Sequence, residues 1–493
     1  MIQPIQNSNN TVKTSILYMN DFHGKLPNLE RLYTASQAFD TFETSADKLK
    51  LSSGDDSLGE DPKTSKVVSK LLDMIGIQVR QNGNHEFDVQ PKSHAEFAQN
   101  AKHKELGAVN IHIKDESPMK NTVASSVVEE RNGHKYGIVG VGPSDMFLRL
   151  KDGVSKDHMV VDDIDTTIIN LQKEVDKLKA QGLDKIILLS HSGYTNDIRF
   201  AKETSGIDVI IGGHSHDLIK DIKDGKNLFA NKDGEPVIIT QAGKDGEHFG
   251  ILNLEFDNKG IIKKAQNNVV STSNFNRTLP AKYAVEEIIG KPEHVGHIKS
   301  APPAPKHRLL ENNPHGNFIV DAMRHELNTD IALLNSANIR GSFEQGETDT
   351  RMVTEITPFK NHMMIAEINE QELIDAIKHG GTSFKNPGNK PGIVLVSGLK
   401  YTMNQNGELL NLSRVLDDGR EIAIDINNPD TNKKYTVAMD DFFGTGGDGF
   451  SSLNKKAVAK AFYDFDKDKL ACDYIKHLGG NVNIPVDNRV KIV

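Results

Sequence analysis

Histidine, aspartate and asparagine recur in short clusters through the first half of this 493-residue chain. Their imidazole nitrogens and carboxylate or amide oxygens suit Mn, Zn, Fe or Co, and none of these metals requires a thiolate ligand. Two such cations about 3.5–4 Å apart, joined by a bridging carboxylate, bind a phosphoryl group and activate water. The clusters contain Asp21 and His23, then Asp55 and Asp56, then Asn84, His85 and Asp88, then His191, and finally His214 and His216. Together they predict a site for two divalent metal ions.

Each cluster follows a run of residues that is typical of a β-strand. The runs read TSILYMN, LKLSSG, IQVRQ, DKIILLS and IDVIIGG, and a sixth, PVIIT, is followed by QAG. Between them lie helical patterns such as 166–182, in which apolar residues recur at three and four positions before a glycine. Strands that alternate with helices predict a mostly parallel sheet, in which sites form at the carboxyl ends of the strands. The clusters should therefore converge on one edge.

Each cluster taken alone has another interpretation. A single Asp-x-His pair is common, and a histidine after an apolar strand, such as His191, is more often a capping or hydrogen-bonded core residue. The sequence His-Ser-His in a glycine-rich turn is equally consistent with a surface turn. Five such clusters, each at the end of a predicted strand, favour the metal site over these separate alternatives.

The overall composition excludes several classes of protein. Hydrophobic residues make up 37% of the chain and charged residues 26%, as in ordinary soluble globular proteins. A formal net charge of −9 argues against binding of nucleic-acid polymers. Cys472 is the single cysteine, which excludes an internal disulfide and disfavours thiolate metal ligation. No apolar run approaches the ~18–20 residues needed to span a membrane.

The first residues, MIQPIQNSNNTVKTS, have neither the basic nor the apolar segment of a secretory signal peptide. This favours a cytoplasmic location, and an extracellular or cell-surface location is the alternative if a signal was trimmed. The default expectation for the oligomeric state is a monomer.

The pattern of predicted strands and helices divides the chain into two domains. Residues 12–272 carry the strand-and-cluster pattern, and residues 313–493 carry a mixed pattern of strands and helices. Between them, 273–312 contains APPAP and little strand pattern, so that we expect a linker that can contain one helix. A chain of this length is also expected to form more than one domain.

Motifs in both halves resemble a known family. DFHG, SSGDD, GNHEFD, LLSHSG and GGHSH resemble the five signature blocks of the calcineurin-like metallophosphoesterases. GNFIVDAM, NSANIRGSFEQGETD, TPFKN and FFGTGGDGF resemble the C-terminal domain of bacterial and animal 5′-nucleotidases. The resemblance runs from about residue 14 to 490. It implies an α/β metallophosphoesterase domain, a β-sheet sandwich flanked by helices, followed by a C-terminal domain of the α+β or α/β class.

The resemblance also implies roles for individual residues. One metal would be bound by Asp21, His23 and His216, and the other by Asn84, His191 and His214, with Asp55 bridging the two; the metals would be Mn, Zn, Fe, Co or Mg. His85 and Asp88 match the family's catalytic dyad, and Asn110 matches an asparagine near the phosphate. In the second domain Arg340 matches an anion-binding arginine, and Phe442 and Asp448 match a base-stacking ring and a ribose-hydroxyl acceptor.

Ile393 marks a departure from the family pattern. Two aromatic rings commonly sandwich the base, and our alignment places Ile393 in PGIVLVSG at the position of one of them. One stacking face would then be aliphatic, and we expect weak selectivity among nucleobases.

The activity implied is a metal-dependent 5′-nucleotidase that converts nucleoside 5′-phosphates to nucleoside and phosphate, with a hinge at 273–312 that permits domain closure. The alternatives are a cyclic-nucleotide phosphodiesterase or a nucleotide-sugar or dinucleotide pyrophosphatase with the same metal site. A metal-containing protein that binds a ligand without turnover is a further alternative, which the intact pair His85 and Asp88 disfavours. The nucleotide motifs of the second domain disfavour a sulfur-compound hydrolase of the same superfamily.

Overall fold

The computed structural model describes residues 11–45, 47–59, 61–150, 154–386, 391–455 and 458–493. These residues form two compact units, one up to Lys291 and one from Pro292 to Val493. The first ten residues, which carry most of the segment that lacks signal-peptide features, lie outside the described ranges. Among the helices of the described ranges, none is both long and apolar enough to cross a membrane.

The first unit contains fourteen strands and seven helices in its described part. In chain order they are β1 (Val12–Met19), α1 (Leu26–Phe42), β2 (Asp47–Ser52), α2 (Pro62–Ile75), β3 (Val79–Gln81), α3 (Pro91–Asn100), β4 (Lys104–Leu106), β5 (Ile111–Ile113), β6 (Ser126–Arg131), β7 (His134–Val141), α4 (Met146–Arg149), β8 (Met159–Val161), α5 (Ile164–Ala180), β9 (Ile186–Ser190), α6 (Tyr194–Glu203), β10 (Val209–Gly212), β11 (Leu228–Ala230), β12 (Pro236–Thr240), β13 (His248–Phe256), β14 (Ile262–Ser271) and α7 (Leu279–Ile289).

Two six-stranded sheets form the centre of this unit. Their strand orders are β14-β13-β1-β2-β3-β4 and β11-β12-β10-β9-β7-β6, and the strands within each centre run parallel. Apolar side chains of both sheets share one buried core, in which Ile16 and Leu49 of the first sheet pack with Ile187 and Val209 of the second. The pair is therefore a sandwich, as predicted.

Helices cover the outer faces of both sheets. Leu17 and Met19 of β1 pack with side chains of α1, α2 and α7, and Leu188 of β9 packs with side chains of α5 and α6. Helix α5 illustrates why these segments are helical, because Asp163 caps its first turn by accepting a hydrogen bond from the Thr166 N–H. Its buried residues recur at helical spacing on one face. They are Thr167, Ile168, Leu171, Val175 and Leu178.

The second unit contains twelve strands and five helices in its described part. In chain order they are β15 (His294–Ser300), α8 (Pro314–Glu326), β16 (Ile331–Asn335), β17 (Gly346–Asp349), α9 (Thr350–Ile356), β18 (His362–Asn369), α10 (Glu370–Gly381), β19 (Val394–Ser397), β20 (Leu399–Met403), β21 (Leu409–Val415), β22 (Glu421–Ile424), β23 (Lys434–Asp440), α11 (Asp441–Gly444), β24 (Ala461–Asp466), α12 (Lys467–His477), β25 (Asn481–Asn483) and β26 (Val490–Ile492).

A five-stranded mixed sheet, β19-β16-β23-β18-β24, organises the second unit. Alternate residues of β16 enter two cores. Ile331 and Leu333 pack with side chains of α10 and of the sheet β22-β21-β20-β26, whereas Ala332 and Leu334 pack with side chains of α8 and α12. This two-sided burial explains the uninterrupted apolar run IALL at the start of β16.

The region 273–312 differs from the predicted linker. Helix α7 lies within it and buries Ala281 and Val285 in the core shared with α1 and α2 of the first unit. Strand β15 is the central strand of a three-stranded sheet, β17-β15-β25, in the second unit. The longest stretch without a regular element in this region follows Ser300 and continues to α8. The boundary between the units therefore lies at Lys291 and Pro292.

Candidate active site

The polar clusters lie at the carboxyl ends of parallel strands of both sheets. Strands β1, β2 and β3 end at Met19, Ser52 and Gln81, directly before the first three clusters. Strands β9 and β10 end at Ser190 and Gly212, directly before the other two. The side chains converge in three overlapping groups whose possible ligand atoms lie within 4.8 Å of one another. The groups are Asp21, His23 and His216; His23, Asp55 and His85; and Asp55, His191 and His214.

The Asp55 carboxylate lies between histidines of different groups. Its Oδ2 atom is 3.0 Å from Nε2 of His191 and 3.8 Å from Nε2 of His23. Oδ1 of Asp21 lies 3.4 Å from Nε2 of His216 and 3.8 Å from Nε2 of both His23 and His191. A carboxylate in the position of Asp55 can bind two cations at once.

His191 is oriented as a metal ligand would be. It is fully buried, and its Nδ1 atom lies 2.7 Å from the carbonyl oxygen of Ser53. Because a carbonyl only accepts, Nδ1 carries the proton, and a neutral ring leaves the lone pair on Nε2. This Nε2 atom has no hydrogen-bond partner among the described residues, although it faces Asp55. A proton or a metal cation between the two atoms is needed to offset their repulsion.

The shifted pKa values of the site also indicate that positive charge is favoured there. Burial opposes protonation of His191, but the charges of Asp55 and Asp21 outweigh it and raise the pKa of His191 to about 10. Burial likewise opposes a charge on His23, yet hydrogen bonds with Asp245 and Asp55 raise its pKa to about 9. Burial also disfavours ionised Asp21 and Asp55, but the histidines hold the pKa of both carboxyls below the usual range. A divalent cation would supply this positive charge instead.

The backbone is strained where the candidate ligands lie. Positive φ angles are uncommon for residues other than glycine. Five of the candidate ligands adopt them, with φ of 51° to 73°: Asp21, His23, Asp55, His214 and His216. Such outliers persist where the surrounding structure enforces them, and they concentrate at functional sites.

Two further observations fit a bound cation. The Oδ1 atom of Asn84 is buried and has no hydrogen-bond partner among the described residues. Two glycines leave room for the ligands, since a Cβ atom on Gly83 would lie 2.2 Å from Oδ1 of Asp55 and one on Gly213 would lie 2.8 Å from Nδ1 of His191. The donor set contains only nitrogen and oxygen atoms, as divalent Mn, Zn, Fe or Co accept.

His85 and Asp88 form a pair at the edge of the cluster. They lie in a short 3-10 helix, His85–Asp88, and Nδ1 of His85 is 2.8 Å from Oδ2 of Asp88. The His85 side chain is 26% exposed, so that it can meet a ligand from solvent. Its backbone N–H also donates to Oδ1 of Asp55, which ties the pair to the candidate ligands.

Glu86 supports the loop that carries Asp55 and was given no role in the sequence analysis. Its carboxylate accepts hydrogen bonds from the backbone N–H groups of Asp55 and Asp56, at 2.9 and 3.0 Å, and from those of Ser57 and Gly83. The residue lies inside the motif GNHEFD, which was the available signal. Asp56 is not among the candidate ligand groups, and burial with the nearby Glu86 charge raises its pKa to about 7.

Glu86 is the inner end of a buried series of alternating charges. Arg80 lies 4.0 Å from Glu86 and donates two hydrogen bonds to Glu105, at 3.0 and 2.7 Å. Both ring nitrogens of His103 contact carboxylates, Nε2 lying 3.1 Å from Glu105 and Nδ1 lying 2.7 Å from Asp73. This series connects the Asp55 loop to α2, the helix that contains Asp73.

Two carboxylates behind the histidines were also missed. Oδ1 of Asp245 lies 3.0 Å from Nδ1 of His23, and Oδ1 of Asp145 lies 3.3 Å from Nε2 of His214. Hydrogen bonds with these histidines help to hold the pKa of both carboxyls well below the usual range. Asp245 follows β12 in the sequence QAGKDG, so that its position after a strand end was a usable signal.

Asn110, which is predicted to contact the phosphate, is held by the backbone of Gly142. It is fully buried, its Nδ2 group donates to the carbonyl oxygen of Gly142 at 3.0 Å, and its Oδ1 atom accepts from the Gly142 N–H at 2.9 Å. The side chain therefore stabilises the backbone after β7 in this structure.

In the second unit, Arg340 lies beside an aromatic ring. Its guanidinium carbon is 5.1 Å from the centre of the Phe359 ring, and its Nε atom donates to the Ala337 carbonyl oxygen. A stacked and fixed guanidinium is well suited to binding an anion. Phe359 belongs to the motif TPFKN and had no assigned role in the sequence analysis.

Phe442 and Asp448 lie in one glycine-rich segment. Phe442 is 37% exposed, and its ring is in close contact with Gly447, where a Cβ atom would lie 2.7 Å from the ring. Asp448 is exposed and has a φ of 52°. Nδ2 of Asn335 donates to its carboxylate at 2.8 Å, and Nε2 of His379 donates to its carbonyl oxygen at 2.9 Å. These contacts hold the aspartate in its strained conformation.

The prediction for Ile393 requires correction. Its side chain is fully buried in the core of the second unit, and its backbone N–H donates to the Leu309 carbonyl oxygen. It therefore offers no face to a base. This burial was not predicted because it depends on neighbours that are distant in sequence, such as Tyr401 and Phe450 of the same core.

Comparison with known proteins agrees with the two-domain fold. Residues 14–218 match the family model described as calcineurin-like phosphoesterase, and residues 294–455 match that of the 5′-nucleotidase C-terminal domain. The chain is 26% identical over 473 residues to the trifunctional nucleotide phosphoesterase protein YfkN of Bacillus subtilis, covering 86% of this chain and 31% of that protein. It is 26% identical over 432 residues to the 5′-nucleotidase of Mus musculus, covering 79% and 71%.

A solved structure extends the likeness in fold to almost the whole chain. The 5′-nucleotidase precursor from Thermus thermophilus superposes with a TM-score of 0.76 at 23% identity, covering 98% of this chain and 99% of that one. The family models identify a metal-dependent hydrolase of phosphoester bonds, and the cluster of histidines and aspartates is consistent with this class. In this chain a calcineurin-like phosphoesterase domain therefore precedes a 5′-nucleotidase C-terminal domain.

Proposed function

We propose that the protein hydrolyses nucleoside 5′-monophosphates to a nucleoside and inorganic phosphate. The observation that carries the proposal is the position of His85 and Asp88, paired at 2.8 Å beside a buried cluster of metal-type ligands. The names of the mouse and Thermus relatives, both 5′-nucleotidases, support the choice of substrate class.

The proposed centre holds two divalent cations. Asp21, His23 and His216 would bind one of them, and Asn84, His191 and His214 would bind the other. Asp55 would bridge them, in agreement with its position between His23 and His191. When bound, the cations supply positive charge for the phosphoryl oxygens and lower the pKa of a water molecule. Mn, Zn, Fe and Co fit the donor set best, since imidazoles outnumber carboxylates.

The residues around the centre have separate tasks. Asp88 accepts the hydrogen bond from Nδ1 of His85 and thereby fixes the ring with Nε2 directed away from the carboxylate. A protonated Nε2 would donate to a phosphoryl oxygen or transfer its proton to the departing ribose oxygen. Asp245 orients the ring of His23, and Glu86 holds the backbone of the Asp55 loop.

The second unit supplies the residues proposed to recognise the nucleotide. Arg340, which is stacked on Phe359, would bind an anionic group, and the exposed ring of Phe442 would stack on the base. Asp448, held in place by Asn335 and His379, would accept hydrogen bonds from ribose hydroxyls. The expectation of weak base selectivity depended on Ile393 and loses its support.

A substrate panel tests the proposal. The stripped enzyme is reloaded with Mn, Zn or Mg and given AMP, UMP, ATP, 2′,3′-cyclic AMP, UDP-glucose or NAD, with EDTA as the control. We expect metal-dependent release of phosphate from AMP and UMP. Product formation only from the cyclic nucleotide, or only from UDP-glucose and NAD, would replace the proposal with a phosphodiesterase or a pyrophosphatase. Absence of turnover with a loaded centre would favour a protein that only binds its ligand.

A further inference from the structure

A second cluster of metal-type ligands lies on the surface of the second unit, apart from the motifs of the family. His325 and Glu326 are the last two residues of α8, and His477 is the last residue of α12. Each offers one ligand atom, and the three atoms lie within 4.8 Å of one another. We propose that these residues form a separate site for a divalent transition metal ion, with zinc as the leading candidate.

The distances suit tetrahedral coordination. Oε1 of Glu326 is 2.9 Å from Nδ1 of His325 and 3.7 Å from Nδ1 of His477. Zinc–nitrogen and zinc–oxygen bonds of about 2.0–2.1 Å place neighbouring tetrahedral ligands about 3.3 Å apart. The observed separations fall on either side of this value. Small rotations of the side chains would therefore complete the geometry without backbone movement.

The chemical types of the ligands select the class of metal. Two imidazoles and one carboxylate suit Zn, Cu, Ni or Co, whereas Ca and Mg require sites made of oxygen atoms. Three protein ligands leave a fourth position for water. Cys472, although it is also in α12, is buried and does not belong to the cluster.

The arrangement of helices α8 and α12 also favours a metal site. Helices α8 and α12 pack against each other, and the rings of Phe318 and Tyr474 lie 5.3 Å apart between them. Both helices end at the cluster, and a helix C-terminus carries partial negative charge that attracts a cation. Arg324, the nearest arginine in sequence, does not compete for the carboxylate of Glu326 since it donates to Asp417 and to the Asp330 carbonyl oxygen.

A cation can reach the site directly. The side chains of His325 and His477 are 44% and 60% exposed, whereas that of Glu326 is 19% exposed. The imidazole rings already meet edge to face, with centres 4.5 Å apart. A bound ion would join the ends of two helices that already pack against each other.

The test counts zinc ions per chain. Wild-type protein without a polyhistidine tag is stripped with a chelator, dialysed against buffered micromolar Zn²⁺ and analysed by atomic spectroscopy. The proposed centre of the first unit should fill equally in every variant. We therefore expect His325→Gln and His477→Gln each to bind one zinc ion fewer than the wild type. His362→Gln is the matched control, since His362 is an exposed histidine, 51%, of the same unit and pairs with a single carboxylate, that of Asp464, among the described residues.

A thermal measurement accompanies the count. Zinc should raise the melting temperature of the wild type and of His362→Gln more than that of His477→Gln, when each is first loaded with Mn²⁺. Equal zinc counts in the wild type and both cluster variants would overturn the proposal, as would the same loss in the His362 control. Mn²⁺-dependent hydrolysis by His477→Gln at the wild-type rate verifies that the variant folds. The zinc count is independent of the proposed substrate.

Discussion

Nδ1 of His23 lies 3.0 Å from Oδ1 of Asp245, on the side of the ring opposite the candidate metal centre. Nε2 of the same ring faces Asp21 and Asp55, each at 3.8 Å. A carboxylate behind a histidine fixes the tautomer and orientation of the ring and makes its free nitrogen a better ligand. Asp245 was not among the site residues predicted from the sequence, yet it determines the orientation of the His23 ring.

Asp245→Ala should therefore weaken metal binding without removing a ligand. We expect a loss of affinity of about 10-fold to 100-fold, as is typical when the partner of a ligating histidine is removed. Isothermal titration of the stripped protein with Mn²⁺ measures it. Asp221→Ala is the control, because Asp221 is 70% exposed and pairs with Lys223 away from the cluster. Equal affinities for the wild type and Asp245→Ala would show that Asp245 does not orient His23.

His85→Ala should reduce kcat for AMP by about 10²-fold to 10⁴-fold, the range typical of a general acid. Asp88→Asn should have a smaller effect, since the ring remains but loses its acceptor. Metal content, measured by atomic spectroscopy, should be unchanged in both variants because neither residue belongs to the proposed ligand set. A variant His85→Ala with wild-type kcat would assign this histidine to structure only.

His379→Ala should affect recognition of the nucleoside and leave the chemistry intact. Loss of the hydrogen bond to the Asp448 carbonyl oxygen should destabilise the strained conformation of Asp448 by about 0.5–1.5 kcal/mol. The KM for AMP should rise about threefold to tenfold at constant kcat. A phosphate ester without a nucleoside, such as para-nitrophenyl phosphate, should show no change. An equal rise in KM for both substrates would contradict the proposed role of Asp448.

The pair of His103 and Asp73 should make stability depend on pH. Burial opposes a charge on His103, but hydrogen bonds with Asp73 and Glu105 raise its pKa. Burial also opposes ionisation of Asp73, whose pKa is nevertheless lowered by the hydrogen bond and charge of His103. The contribution of His103 is fully present below its unfolded pKa of about 6.5 and is lost as pH rises through the folded value. That of Asp73 is present above about 3.9 and is lost as pH falls through its folded value.

His103→Gln should therefore destabilise the first unit most between about pH 4 and 6.5. We expect the free energy of unfolding to fall by about 3 kcal/mol in this pH range, as for a broken buried ion pair, and by less at pH 9. Thermal unfolding followed by circular dichroism at pH 5.5 and pH 9 measures the difference. His112→Gln serves as the control, since His112 is 51% exposed. A loss of stability independent of pH would mean that His103 contributes through packing alone.

Local patterns were sufficient to predict the strand ends that form the site. Each apolar run ended before a polar cluster, and parallel pairing within each sheet, together with packing of the two sheets on a common core, brought the clusters together. The carboxylates that orient the candidate histidine ligands could not be predicted from local patterns. Asp245 meets His23 across 222 positions of sequence, and nothing local to either residue indicates the other.

The same limit explains why strand β15 and the burial of Ile393 were not predicted. Strand β15 gains its partners from β17 and from β25, where His297 is paired with Glu347 and with Asn481. These partners are distant in sequence and gave no local signal for a strand. The nearby proline-rich sequence suggested a linker instead. Ile393 was assigned from alignment, whereas its position depends on the core that surrounds it.

The left-handed backbone at five candidate ligands restricts how the site can change during evolution. Among residues other than glycine, asparagine, aspartate and histidine adopt positive φ most readily, and all three also bind divalent metals. Asp21, His23, Asp55, His214 and His216 lie within this overlap. Glutamate binds metals equally well but lacks the short side chain that eases a left-handed conformation. Neutral drift at these positions should therefore exchange aspartate, asparagine and histidine with one another, whereas glutamate should be accepted only where the backbone is relaxed.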